Sequence, residues 1–440
     1  MIKKLFLFTF LSLSTFALFS CEKDNPQPNP NPNPNLSDTI IVSGPITQNT
    51  IWDKDTTYIL KGVIYVKNGV NLTIQPGTTI LGDKATKGTL VITRGSKLFA
   101  DGTPTQPIVF TSAQPDSMRS YGDWGGLVIL GNATINVPGG VAIIEGGLLG
   151  SDAVYGGSND DDNSGILRYL RIEYAGIAYQ PNSEINALTF GGVGRGTIVE
   201  NIQISYSGDD AFEWFGGTVN CKHLVAYKTW DDDFDTDFGY RGMVQFGLVV
   251  RDHQIADQSQ SNSFESDNDG TGTTNSPQTA PVFSNITVVG PKQFGTPAIL
   301  YRRAMHLRRN TSISIYNSIF IGFPTGLHID GSAAQTNATN NNLQIENVAL
   351  VNMTNNFEQN NGSNSWAGAN DYFFSSNRNN RTDSSIADVG ITPNYTLTFG
   401  SPLMNGAAFN NPKLNNQFFL PVTYMGAFGV NDWLGTWTKF

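Results

Sequence analysis

Cysteine is almost absent from this 440-residue chain: Cys21 and Cys221 are the whole complement. Two thiols allow at most one disulfide, so no disulfide framework holds the fold. Charge is sparse as well, at 15% of residues, and acids outnumber bases 37 to 27, for a formal net charge of −10. That balance argues against nucleic acid or an anionic lipid surface as a partner. Long apolar runs are missing except near the start, where Leu5 to Phe19 is too short to span a bilayer comfortably. Helical periodicity is scarce. What abounds is Gly (46 residues), together with Asn and Thr, the composition of an all-β chain with many turns.

The N-terminus reads as an export address. Met1-Ile2-Lys3-Lys4 is basic and the apolar run follows directly, which is the pattern of a secretory signal peptide over residues 1–20. The run closes in Leu18-Phe19-Ser20-Cys21, which resembles a bacterial lipobox. The resemblance implies a mature chain that starts at Cys21 and is acylated there, with two or more chains giving stable anchoring to a lipid membrane. That use of Cys21 leaves Cys221, set in an apolar strand pattern, as a plain buried thiol. Residues 21–38 form a linker in which Asn25 to Asn35 alternates Asn and Pro, a semi-rigid extended stalk. Glu22-Lys23-Asp24 resembles the Lys-plus-acid signal of lipoproteins sent to the cell exterior, so the expected place is the outer membrane, lipid-anchored and facing out.

From residue 39 to 440 the chain is organised by a repeat. The pattern apolar, any, Asn, apolar, any, apolar occurs at Val199–Ile204, Phe283–Val288, Ile315–Phe320 and Ile345–Leu350. Weaker copies without Asn run over Leu167–Ile172, Cys221–Ala226 and Val244–Val249. The Asn-equivalent positions are 169, 201, 223, 246, 285, 317 and 347, with shortest steps of 22 and 23 residues. Asn at a fixed bend tolerates left-handed backbone, and its side chain can bond the Asn of the next coil. A unit this short fits one coil of a right-handed parallel β-helix, a single solenoid, whereas a propeller blade needs about 40 residues.

Gly69–Thr78, Gly102–Ser112 and Tyr121–Leu127 look like the early coils of exported β-helix proteins. Val422–Phe428, closing in Trp433 and Trp437, looks like a C-terminal cap, from about residue 418, over the last open coil. Together these segments resemble a pectate-lyase-like family of β-helix lipoproteins of Bacteroidota. Function does not follow from that fold, which hosts lyases, hydrolases, adhesins and spacers alike.

The register of the repeat picks out the chemistry. A strand opens each following coil, and aligned on their first apolar residue these strands place Leu188, Phe212, Phe234, Phe264, Met305, Leu327 and Phe357 in one inward stack. The next residue in each points out, giving the column Thr189, Glu213, Asp235, Glu265, His306, His328, Glu358. Two residues on stand Asp237, Asp267, Arg308 and Asp330. Neighbouring strands lie about 4.8 Å apart, so like charges crowd unless a proton or cation intervenes. The expected ligand-binding residues are therefore Glu213, Asp235, Asp237, Glu265, Asp267, His306, Arg308, His328 and Asp330. Calcium is the one cofactor the pattern suggests, on Asp235, Asp237, Glu265 and Asp267. The bland reading is a solvated face on which Asp267 pairs with Arg308. The carboxylates are also expected to raise the pKa of the histidines.

Ser207-Gly208-Asp209-Asp210-Ala211-Phe212-Glu213 looks like the Gly-Asp-Asp segment of polygalacturonases, β-helix hydrolases with paired aspartates. The resemblance is confined to that segment. Where that family has Gly-His-Gly a coil later, this chain has Asp231-Asp232-Asp233. The catalytic candidates are Asp209, Asp210, Glu213, Asp235, Glu265 and His306. As a bland alternative, the paired aspartates cap backbone N–H groups in a turn. Asp160–Asp162 and Asp267–Gly270 resemble fragments of a calcium loop but lack its closing Glu. Tyr174, Tyr179, Tyr206, Trp230 and Tyr240 are expected to flank the acidic column as sugar-stacking rings.

Three readings stay open. The first is a surface lipoprotein that binds an extracellular glycan or cation-bridged anion along the groove, beside an outer-membrane uptake receptor. The second is a polysaccharide-cleaving hydrolase or lyase in the same groove. The third is a structural spacer.

Overall fold

The computed structural model describes residues 38–180, 183–359 and 364–440. Cys21, the signal segment and the Asn/Pro stretch lie outside the described residues, as does the side chain of Tyr179.

The seven positions aligned on the recurring Asn share one backbone state. Tyr169, Asn201, His223, Phe246, Asn285, Asn317 and Asn347 all have positive φ, between 50° and 64°. This conformation costs an L residue about 1–2 kcal/mol, least where the side chain is Asn. Its return at the same place in coil after coil marks an enforced corner. There the register passes from Glu200↔Lys222 to Ile202↔Leu224 and skips Asn201 and His223.

Corners repeated in this way stack the coils into parallel sheets. Among the described residues one sheet has 15 strands, with Ile198–Ser205, Asn220–Tyr227 and Met243–Val250 as successive neighbours. A second has ten, and its later strands are Leu188–Val193, Phe212–Gly217, Phe234–Asp237, Phe264–Ser266, Arg303–Leu307, Thr325–Ile329 and Asn355–Phe357. Every pairing inside these two sheets that bears on the site is parallel. The fold is an all-β parallel β-helix. No helix among the described residues is long and apolar enough to cross a membrane.

Between the sheets runs the predicted inward stack. Leu188, Phe212, Phe234, Phe264, Met305 and Leu327 are fully buried, and Phe357 packs against the same core. Ring centroids are 5.7 Å apart for Phe212–Phe234 and 5.0 Å for Phe234–Phe264. Each buried Phe contributes about 1.5–3 kcal/mol by leaving water. Cys221 is a free, fully buried thiol, as expected.

The C-terminal segment does not cap the last coil. It runs back along the flank of the longer sheet, where Met425, Ala427, Phe428 and Trp437 pack on Val225, Leu248, Val289, Ile319 and Val351. The bend residues fasten it. Asn285 Nδ2 donates to Tyr424 O (3.0 Å), Asn317 Nδ2 donates to Ala408 O (3.1 Å), and Asn317 Oδ1 accepts from Ala408 N (2.9 Å). Gln203 and Gln245 do the same for Lys439 and Leu420. The bend Asn side chains thus mainly hold this returning strap; of the expected coil-to-coil bonds, Asn379 Nδ2 to Asn347 Oδ1 at 2.9 Å is one. The open end is closed instead by the helix Ala369–Phe373, whose Phe373 lies 5.2 Å from Phe357.

Candidate functional site

The outward column forms in the expected register. Thr189 pairs with Glu213, Glu213 with Asp235, Asp235 with Glu265, Glu265 with His306, and His306 with His328. The face is not the open one the alternation suggested: Glu213 is 6%, His306 7% and His328 5% exposed. The reason lies in the insertions. Ile135, Ile144, Leu148, Ala153 and Tyr155 from one insertion pack on Val91, Val128 and Phe215 of the outer face, Phe215 being on the Glu213 strand. Farther along, Asn136 Nδ2 from that insertion donates to the Asn268 backbone O (2.7 Å), joining it to the loop that follows Glu265. The column therefore lies in a walled trough.

Its upstream end is acidic. Carboxylate oxygens of Asp210, Glu213 and Asp235 lie within 4.8 Å of one another, as do those of Asp209, Asp210 and Asp231. Close backbone approach makes room for this. A Cβ on Gly208 would stand 2.7 Å from Gly122 N, and one on Gly176 would stand 2.6 Å from Ser207 Oγ. Burial, first of all, lifts the Asp210 and Glu213 carboxyls well above their usual ranges. Asp209 and Asp231 add to this at Asp210, and Glu145 and Asp235 at Glu213. Asp235 rises by burial and then by Glu265 and Asp232. Burial pushes Asp231 up to about 7, although Ser259 Oγ donates to it.

A second ladder beside the column escaped the sequence reading. Two residues before the first four inward residues stand Asn186, Asp210, Asp232 and Asn262. Asp210 Oδ1 accepts from Asp232 N at 2.8 Å, and Asp232 Oδ1 accepts from Asn262 N. Asn186 Nδ2 donates to Glu213. Asp210 thus accepts from a backbone N–H of the next coil, not of its own turn as the bland alternative had it, while also standing in the acidic cluster. Applying the same alignment two residues earlier would have found the ladder. Asp233 is outside the trough, in a fully buried pair with Arg251 at 2.9 Å.

Downstream the charges are matched. Arg308 Nε donates to Asp267 Oδ1 (2.9 Å) and Oδ2 (3.1 Å), its Nη2 donates to Glu265, and Arg309 Nη1 reaches Asp267 at 2.8 Å. This is the Asp267–Arg308 pairing of the bland reading, enlarged into a network. Burial opposes the Glu265 charge, but hydrogen bonding from His306 and the charge of Arg308 outweigh it and hold Glu265 below the usual range. His306 Nε2 lies 2.9 Å from Asp330 Oδ2, and the His306 and His328 rings stack at 5.1 Å. At His328 the upward push of Asp330 and Glu358 is outweighed. Burial, followed by His306 and Arg303, lowers it to about 4.

Asp235, Asp237, Glu265 and Asp267 do not converge as a metal set among the described residues, because Arg308 and Arg309 occupy Glu265 and Asp267. Asp237 instead accepts from Phe238 N at 2.6 Å, and Asp269 holds Thr271 and Thr273. Tyr121, Tyr206 and Trp230 form a half-buried aromatic cluster at the corner next to Asp209 and Asp231, with Tyr174 stacked on Tyr206 at 4.9 Å. Tyr240 is no flanking ring, since it is fully buried against Trp214 at 5.3 Å.

Carboxyls whose pKa burial raises can take up and give back protons, and an Arg–carboxylate network orients polar ligands. No curated protein and no solved structure matches the chain. A family match covers most of it, with residues 44–393 fitting the family described as "Pectate-lyase like beta helix domain". Parallel coils with their corners in register are what that description requires, and the chain belongs to the pectate-lyase-like β-helix family.

Proposed function

We propose that the protein binds an extracellular glycan along the trough that runs from Asp209 and Asp210 through Glu213, Asp235 and Glu265 to His306 and His328. One observation carries this reading: five ionisable side chains occupy one position on five successive parallel strands. The carboxyls at one end hydrogen-bond sugar hydroxyls, and Arg308 at the other end favours an acidic sugar. Arg308, Arg309 and Asp330 also line a recess of about 360 Å³, which gives that end access to solvent. Tyr206 and Trp230 supply ring faces beside the acidic end. Calcium bridging through Asp210, Glu213 and Asp235 belongs to the same proposal. The chain acts from the outer membrane, acylated at Cys21 and facing out, and hands its ligand to an uptake receptor.

A second reading, cleavage of the glycan, is favoured by the approach of Asp210, Glu213 and Asp235 carboxylate oxygens within 4.8 Å. Carboxyls at such range can share a proton and divide acid and base roles. Screening the purified protein against anionic and neutral polysaccharides tests both readings. Retention without new chain ends supports binding, and release of reducing or unsaturated ends supports cleavage. Retention of no polysaccharide, with no ends released, contradicts both.

A further inference from the structure

At the downstream end of the trough we infer a binding site for one divalent transition-metal ion of the zinc class, with His306, His328 and Asp330 as its protein ligands. One ring nitrogen from each histidine and one Asp330 carboxylate oxygen lie within 4.8 Å of one another. The fold sets this up. His306 and His328 are register partners on adjacent strands, and Asp330 directly follows the strand Thr325–Ile329 that carries His328. Two imidazoles and a carboxylate, with remaining positions open, suit zinc, iron or nickel rather than calcium.

Two further observations point to an ion. The first is His328, which is 5% exposed and whose Nδ1 and Nε2 have no hydrogen-bond partner among the described residues. A buried polar group without a partner is destabilising, and a metal bond would satisfy one nitrogen. The second is the outer partner of His306. Its Nδ1 lies 3.4 Å from Glu265 Oε2 while its Nε2 faces Asp330 at 2.9 Å. A metal-bound histidine usually gives its other ring N–H to a carboxylate, as Glu265 would accept it here.

The His306 and His328 rings stand nearly parallel, 5° apart in plane, so the His328 ring turns for both nitrogens to face one ion, and the surroundings do not hold the ion by charge alone. Arg303 and Arg308 oppose a cation, whereas Glu265, Asp330 and Glu358 favour it. The recess beside Asp330 leaves room for water or a ligand atom on the open side.

The inference rests on these three donors and not on the glycan reading, so it is tested without any glycan. The full chain is stripped with a chelator and titrated with Co²⁺, following the visible absorption bands, and then with Zn²⁺ as competitor. The expected result is one Co²⁺ per chain, displaced by Zn²⁺. His328→Ala and Asp330→Asn should each weaken cobalt by more than about 10-fold, the lower end of what losing an outer partner alone costs. Asp55→Asn, at an exposed carboxylate in an early coil, should leave the titration unchanged. Asp330 is half-buried, so Asp330→Asn decides the matter if circular dichroism finds His328→Ala misfolded. Absence of stoichiometric Co²⁺ or Zn²⁺ binding overturns the inference, as does binding that is unchanged in Asp330→Asn.

Discussion

Glu265 and His306 are register partners on adjacent parallel strands, with Glu265 Oε2 3.4 Å from His306 Nδ1. The character of the column changes between them. From Glu213 to Glu265 its side chains are carboxylic, and His306 and His328 continue it as imidazoles. Arg308 holds Glu265 from the adjoining column, so charge is matched at this junction and crowded upstream of it.

Phe234→Ala should destabilise the fold by about 3–5 kcal/mol, the usual cost of truncating a buried Phe. Phe234 is fully buried and lies within 5.7 Å of Phe212, Phe264 and Phe283, ring to ring. Urea denaturation measures the change. A loss under about 0.5 kcal/mol, within the scatter of surface substitutions, would place this ring outside the core stack.

Stability should fall as pH rises from about 5 to about 8. Asp231 is pushed up to about 7, and Glu213 and Asp235 stand well above their usual range, burial being the first cause for all three. Their unfolded values are about 3.9 for Asp and 4.3 for Glu. Folded values raised above these give stability that is full below about 4 and is lost as pH climbs through the folded values. In chelator-treated protein, Glu213→Gln with Asp235→Asn should flatten this decline and stabilise the fold at pH 8. An equal decline in the variant would show that these two carboxyls are not its source.

Arg251→Met should cost about 3–5 kcal/mol, because it leaves Asp233 buried without its partner. Both side chains are fully buried. Burial opposes the Arg251 charge, but Asp233 outweighs it, and Thr229 Oγ1 donates to the same carboxylate oxygen. Adding Asp233→Asn to Arg251→Met should restore part of the loss. A double variant no more stable than the single one would contradict a charge-pairing account.

Corners and register were legible because both repeat. Asn recurs where the backbone is left-handed, and even Tyr169, His223 and Phe246, which lack the Asn, occupy the same conformation. The column from Glu213 to His328 followed from the period-two alternation of strands. The walls of the trough were not legible, since Tyr155, Asn136 and Ser259 come from insertions that have no period and meet the column only in space. The strap was misread for a related reason. Met425 and Trp437 are as apolar as cap residues would be, and apolarity does not say which surface they cover.

Cys21→Ala should release the protein from the membrane fraction or leave it unprocessed. The lipobox-like Leu18-Phe19-Ser20-Cys21 and the Asn/Pro stalk behind it motivate this expectation. Fractionation and intact mass check it. Normal processing with unchanged membrane association would defeat the anchor assignment.

Affinity for a polysaccharide retained in the screen, compared across trough variants, tests the central claim most directly. The triple change Glu213→Gln, Asp235→Asn, Glu265→Gln and the single change His306→Ala alter only column residues. Each is predicted to weaken binding by at least about 10-fold, a loss of about 1.4 kcal/mol, while circular dichroism remains that of the wild type. Wild-type affinity in both variants would contradict the claim and place the ligand elsewhere on the coil.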